Sequence, residues 1–131
     1  MWDLDSLSAQ LSAKEAEKQG YLDTAANIKA VYDRMKEDKD VIKGYKDSLK
    51  TFIEENYESF KGDLHVNTYQ AQGNVLIDSY KQVISDIDTN LDRLNTARCE
   101  YENKAYRCDP IIGELRAMIN SIVTSIQNQF N

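Results

Sequence analysis

Apolar side chains recur at alternating steps of three and four residues along nearly the whole chain, with one interruption near its middle. That period gathers them on one stripe of an α-helix; the two-residue alternation of a half-buried strand is absent. With Leu4 as heptad position a, the first segment has a at Leu4, Leu11, Lys18, Ala25, Tyr32, Lys39, Lys46, Ile53 and Phe60. Its d positions are Leu7, Lys14, Tyr21, Ile28, Met35, Ile42, Leu49 and Asn56. The second segment is cleaner. Its a row is Ile77, Ile84, Leu91, Arg98, Ala105, Ile112, Ile119 and Ile126, and its d row Tyr80, Ile87, Leu94, Tyr101, Cys108, Leu115, Ile122 and Gln129. Only Arg98 and Gln129 break it. Two such stripes can bury each other along a narrow seam.

The chain is poor in residues that reverse direction: five Gly and one Pro among 131. A sheet, sandwich or α/β fold needs more turns than that supplies. The best turn lies between the segments, where Gly62 suits a helix C′ position and Asp63 or Asn67 can cap the next helix. The expectation is therefore an all-α protein: a single domain over 1–131 built as a long antiparallel, coiled-coil-like helical hairpin. The first helix is expected over about residues 4–59, the turn over about 60–66, and the second helix over about 67–130. Asp109-Pro110 pairs a capping residue with a proline at the first helical position, so a kink or short break is expected there. Ser12-Ala13-Lys14-Glu15 has capping-box spacing and marks a second place where the first helix could begin.

Chemistry is thinly provided for. His65 is the single histidine, and its neighbours Asp63 and Asn67 are explained by capping, so no metal site and no cofactor are expected. Cys99 and Cys108, nine residues apart, would stand about 13 Å apart on one helix, beyond disulfide reach, and lack zinc or redox-motif spacing. No phosphate loop or nucleophile elbow occurs, so an enzyme is not expected. The net charge of −6 divides into −3 over Met1–Lys61 and −3 over Gly62–Asn131, with no basic face for nucleic acid or for an anionic membrane surface. Nowhere do 18 apolar residues run together, and the acidic start Met1-Trp2-Asp3-Leu4-Asp5 lacks the basic and apolar regions of a Sec signal peptide.

What remains is association. A two-helix hairpin buries only its a/d seam, yet apolar residues also stand outside it. Val31, Tyr45 and Phe52 lie at position g, and Ile111, Met118, Val123 and Phe130 crowd the C-terminal stretch. Covering one such side chain is worth about 1.5–3 kcal/mol, so an exposed row is adhesive. These residues are expected to form a helical partner interface, giving a four-helix bundle with a second hairpin. Two other readings fit the same stripe: a self-covering three-helix bundle with the last helix folded back at Pro110, and a homodimer. The tyrosines on the seam suit a packed core and a partner interface equally.

Phe60-Lys61-Gly62 sets an aromatic-x-Gly tripeptide in the turn between two amphipathic helices. It resembles the WXG-type superfamily of small helical-hairpin proteins of type VII secretion in Gram-positive bacteria, with Phe60 where that family has Trp. The pattern Leu4…Leu7-Ser8-Ala9-Gln10-Leu11-Ser12-Ala13-Lys14-Glu15, with Phe60-Lys61-Gly62…Asn67…Tyr69 and a long helix after it, resembles the YwqH-like branch, encoded beside LXG-domain toxins. The resemblance implies an accessory protein that binds the helical LXG domain of an effector, alone or with a second small hairpin protein, and helps present it for export. It further implies a cytoplasmic location, with export alongside the effector as the alternative. The chain departs from the family in lacking the Tyr-x-x-x-Asp/Glu export signal: Tyr106 is followed by Asp109 one place too soon. The signal would then lie on a partner, or the chain would act only as a cytoplasmic targeting chaperone. A self-associating coiled-coil scaffold is the rival reading, and a tight, salt-insensitive homo-oligomer in light scattering would favour it. If Phe60 caps the end of the bundle, Phe60→Ala lowers unfolding free energy by about 3–5 kcal/mol in denaturant melts; unchanged stability would mean an exposed ring.

Overall fold

The computed structural model describes residues 4–57 and 63–129, with side chains described except at 55–57 and 63–70. The sequence's turn motif, Phe60 and Gly62, lies outside the described residues, as does Phe130. The protein is an all-α helical hairpin. Its elements are α1 (Leu4–Tyr57), α2 (Asp63–Tyr106) and α3 (Asp109–Gln129), and the described residues contain no strand. One boundary differs from the sequence expectation. The backbone at 63–66, expected there as turn, is already helical, and so is the backbone of His65. Of the two capping residues the sequence offers, it is Asp63 that stands at the helix start. A Ser, Asp or Asn can satisfy the free N–H groups of a first turn without a longer loop.

The break near Pro110 is a single turn at Arg107 and Cys108. The Arg107 N–H still donates to the Asn103 carbonyl at 3.0 Å, an α-helical step. The Cys108 N–H instead donates to Ala105, three residues back, also at 3.0 Å. Pro110 then sits in the first turn of α3, where its missing N–H costs nothing and its fixed φ suits a helix. The Cys108 thiol donates to the Lys104 carbonyl at 3.5 Å, and the Ile112 N–H to the Cys108 carbonyl at 3.0 Å. No residue is gained or lost from the seven-residue count across this turn. Ala105, Cys108, Ile112 and Leu115 are all buried on both sides of it.

The chain divides into two compact units: a terminal unit of Met1–Lys29 with Thr96–Asn131, and a middle unit of Ala30–Asn95. In each, α1 runs antiparallel to the helix packed against it. In the terminal unit Lys18 pairs with Asp109 at 2.6 Å and Glu15 with Arg116 at 2.8 Å. Tyr21 and Tyr101, both at d, pack with ring centroids 6.4 Å apart, and the Lys104 ammonium lies 4.8 Å from the Tyr101 centroid. In the middle unit Lys39 pairs with Asp88 at 2.5 Å. Across the described side chains, the a and d residues of α1 are all buried or half-buried. Lysines at Lys14, Lys18, Lys39 and Lys46 share this fate because their alkyl stems cover apolar surface while the ammonium reaches water.

Gly73 extends the d row one heptad before Tyr80. It is buried, and a Cβ built on it would run into Cδ1 of Ile53, a buried a residue. Gly44 is exposed, with nothing near that position. Gly44→Ala should therefore raise stability by about 0.5–1 kcal/mol through helix propensity alone. Gly73→Ala should forfeit that gain by displacing Ile53. A denaturant double-mutant cycle with Ile53→Ala should show coupling of about 0.5 kcal/mol or more; an uncoupled cycle would mean the seam is slack there.

Candidate interaction surface

Heptad position decides which side of a hairpin a residue occupies. In an antiparallel pair, g residues of both helices flank one side of the seam and e residues the other. The contacts fit this. In the middle unit, Phe52 and Leu76, both at g, line one groove with Leu49, Ile53 and Gly73. Lys50 and Lys81, both at e, line another with Ile53 and Ile77. The unit thus has two unlike edges.

The g edge is mostly apolar, interrupted by Asp38 and Asn90. Tyr45 is 60% exposed, Phe52 53%, Leu76 48% and Val83 44%, and Val31 is exposed too. The register that sets Phe52 by Leu76 sets Tyr45 opposite Val83, one heptad farther along each helix. The e edge is polar. Lys36, Lys43 and Lys50 of α1 are each followed four residues later by Asp40, Asp47 and Glu54, a spacing of opposite charges on one helix face that solvated helices tolerate well.

In the terminal unit the apolar exposure sits on α3. Ile111 and Met118, at g, and Val123, at e, are exposed. Met118 lines a shallow groove with Leu7, Ala117, Ser121 and Ile122. Burial fades along this helix, from Ile112 and Leu115, which are buried, through Ile119 and Ile122, which are half-buried, to Ile126, which is exposed. By the register of this unit, Ile122 is level with Leu4. Leu7, opposite Ile119, is fully buried.

Six residues singled out in the sequence as partner-binding, Val31, Tyr45, Phe52, Ile111, Met118 and Val123, are therefore solvent-facing. The structure brings Tyr45 and Phe52 onto one edge with two residues that the sequence pattern did not single out, Leu76 and Val83. Both stand at g in the second segment, which is the signal that marks them. Leu76 lies immediately before Ile77, where the apolar a row begins.

The surface carries modest electrostatic structure. Lys14 donates to Glu17 at 2.9 Å, and the Tyr21 hydroxyl donates to the same carboxylate at 3.2 Å. The Lys14 hydrogen bond holds the Glu17 carboxyl below its usual range, and Glu17 in turn raises Lys14. The charge of Glu17, then its hydrogen bond, push Tyr21 up. The hydrogen bond to Asp88 raises Lys39. Cys99 is exposed, Cys108 is buried, and both are free thiols. Among the described residues no group of three or more His, Cys, Asp or Glu is placed to hold a metal ion, and no helix is long and apolar enough to cross a membrane. Comparison with known protein families, curated proteins and solved structures finds no match.

A group whose folded pKa is depressed stabilises the fold above its unfolded value and loses that contribution as pH falls through the folded one. Glu17 should therefore give the protein an acid limb beginning near pH 4.5, its ordinary value. Melts of Glu17→Gln should show a shallower loss of stability below that pH than the parent; an identical acid limb would show that this carboxylate is not engaged in solution.

Proposed function

We propose that the protein is a type VII secretion accessory factor that binds the helical LXG domain of a toxin effector and helps present it for export. The observation that carries the reading is the apolar g edge of the middle unit. Tyr45, Phe52, Leu76 and Val83 are exposed together beside a seam that is already filled, so closing the hairpin does not cover them. A helix laid along that edge would turn two helices into part of a bundle and cover the row by ordinary ridge-into-groove packing. The turn motif Phe60-Lys61-Gly62 and the N-terminal Leu4…Leu7…Leu11 pattern support the secretion context by resemblance. Binding of this kind needs no cofactor and no catalytic residue, and the protein is proposed not to be an enzyme.

Titration with a cognate LXG domain should raise the melting temperature, because a ligand that binds only the folded state stabilises it by mass action. Leu76→Glu should abolish most of that rise while leaving helicity by circular dichroism unchanged, since the position is solvent-facing and Glu is a good helix former. No rise with the parent protein would remove the proposed partner. A full rise with Leu76→Glu would move the interface elsewhere.

A further inference from the structure

In the terminal unit one seam residue is covered more completely than the seam itself accounts for. Leu7 is the one large side chain among the described residues with no exposure at all. The d residues that follow it on α1, Lys14, Tyr21, Ile28, Met35, Ile42 and Leu49, are all half-buried. Each of them packs against a and d residues of the helix opposite, as Leu7 does against Ile119 and Ile122. Leu7 therefore has cover that the rest of its row does not share.

Beside Leu7 lies the shallow groove lined by Ala117, Met118, Ser121 and Ile122 of α3. Two of these side chains are small, two are large and apolar, and none is charged. A methionine thioether makes favourable contacts with an aromatic ring, and a serine hydroxyl can accept a hydrogen bond from a ring N–H. The groove thus suits an apolar ring that carries one donor.

The chain holds such a ring within reach. Residues 1–3 lie outside the described residues, and α1 is described from Leu4. The residue before Leu4 is Asp3, of a type that caps a helix by accepting from its free N–H groups. With Asp3 at the N-cap, Trp2 falls at N′ and Leu7 at N4. These are the two positions that a hydrophobic staple packs together as it fixes the angle at which the chain enters the helix. Two residues span at most about 7 Å, so Trp2 is tethered close to Leu4, which is level with Ile122 of the groove. A tryptophan buries about 150–250 Å² and its N–H takes a partner when covered; Ser121 offers one.

We propose that Trp2 is the occupant of the α3 groove, stapled over Leu7 and packed against Met118, so that it straps the start of α1 to α3. The proposal does not rest on the secretion reading.

Trp2 is the only tryptophan in the chain, so the fluorescence of the full-length protein reads its surroundings directly. Emission of the folded protein should lie to the blue of emission in denaturant, and acrylamide should quench it less. Met118→Ala removes one side of the groove and Ala117→Leu fills it. Each should move emission to the red and raise quenching, with helicity by circular dichroism unchanged, because both positions are exposed and both replacements are good helix formers. Ile111→Ala, on the same helix but outside the groove, should alter neither reading. Parent emission at the denatured wavelength, or blue emission indifferent to both groove variants, would overturn the proposal. So would blue emission that is lost on dilution, which would give the groove to the tryptophan of a second copy.

Discussion

The seam of a and d residues is the constraint on which everything else in this protein depends. It is narrow, it is the chief apolar surface the hairpin buries, and within each unit it holds the paired helices at one register. Leu7, Ala25, Ile53, Leu91, Ala105, Cys108, Ile112 and Leu115 make its buried core. Between them stand half-buried tyrosines and lysines whose rings and stems complete the layer and whose polar ends stay wet. A two-helix arrangement cannot bury more than this, because each helix offers the other only one side.

That limit gives the molecule its surface character. Once the seam sets the register, each residue beside it is assigned to an edge. The middle unit thereby acquires one edge of tyrosine, phenylalanine, leucine and valine and another of lysine spaced with carboxylates. An edge of the second kind is at ease in water. An edge of the first kind is stabilised by contact, and it is where the proposed partner helix would dock. The proposed contact uses its large apolar residues, Tyr45, Phe52, Leu76 and Val83.

The turn at Arg107 and Cys108 shows how the seam governs local structure. A proline and a change in backbone hydrogen bonding would ordinarily shift the faces of the next helix. Here Ala105, Cys108, Ile112 and Leu115 stay buried in sequence. The pull of the shared layer holds α3 in phase, and the break changes the direction of the backbone without changing which residues face inward.

Much of this was legible in the residues alone. The scarcity of Gly and Pro and the seven-residue apolar period determined an all-helical hairpin and the membership of its seam, and Asp109-Pro110 marked a kink or short break, leaving to the structure that a new helix starts there. Helical period is a local property, repeated many times, and survives local exceptions such as Lys39 or Arg98. The sequence did not reveal where the second helix begins, since Asp63 and Asn67 are both adequate caps. It also did not reveal that Gly73 belongs to the seam, because a glycine shows no hydrophobic signal and its role appears only when Ile53 is seen to fill the space its missing side chain leaves. The pairing of Phe52 with Leu76 was decided by tertiary structure. A repeat names the row to which each residue belongs; only the packed register says which residue stands opposite it.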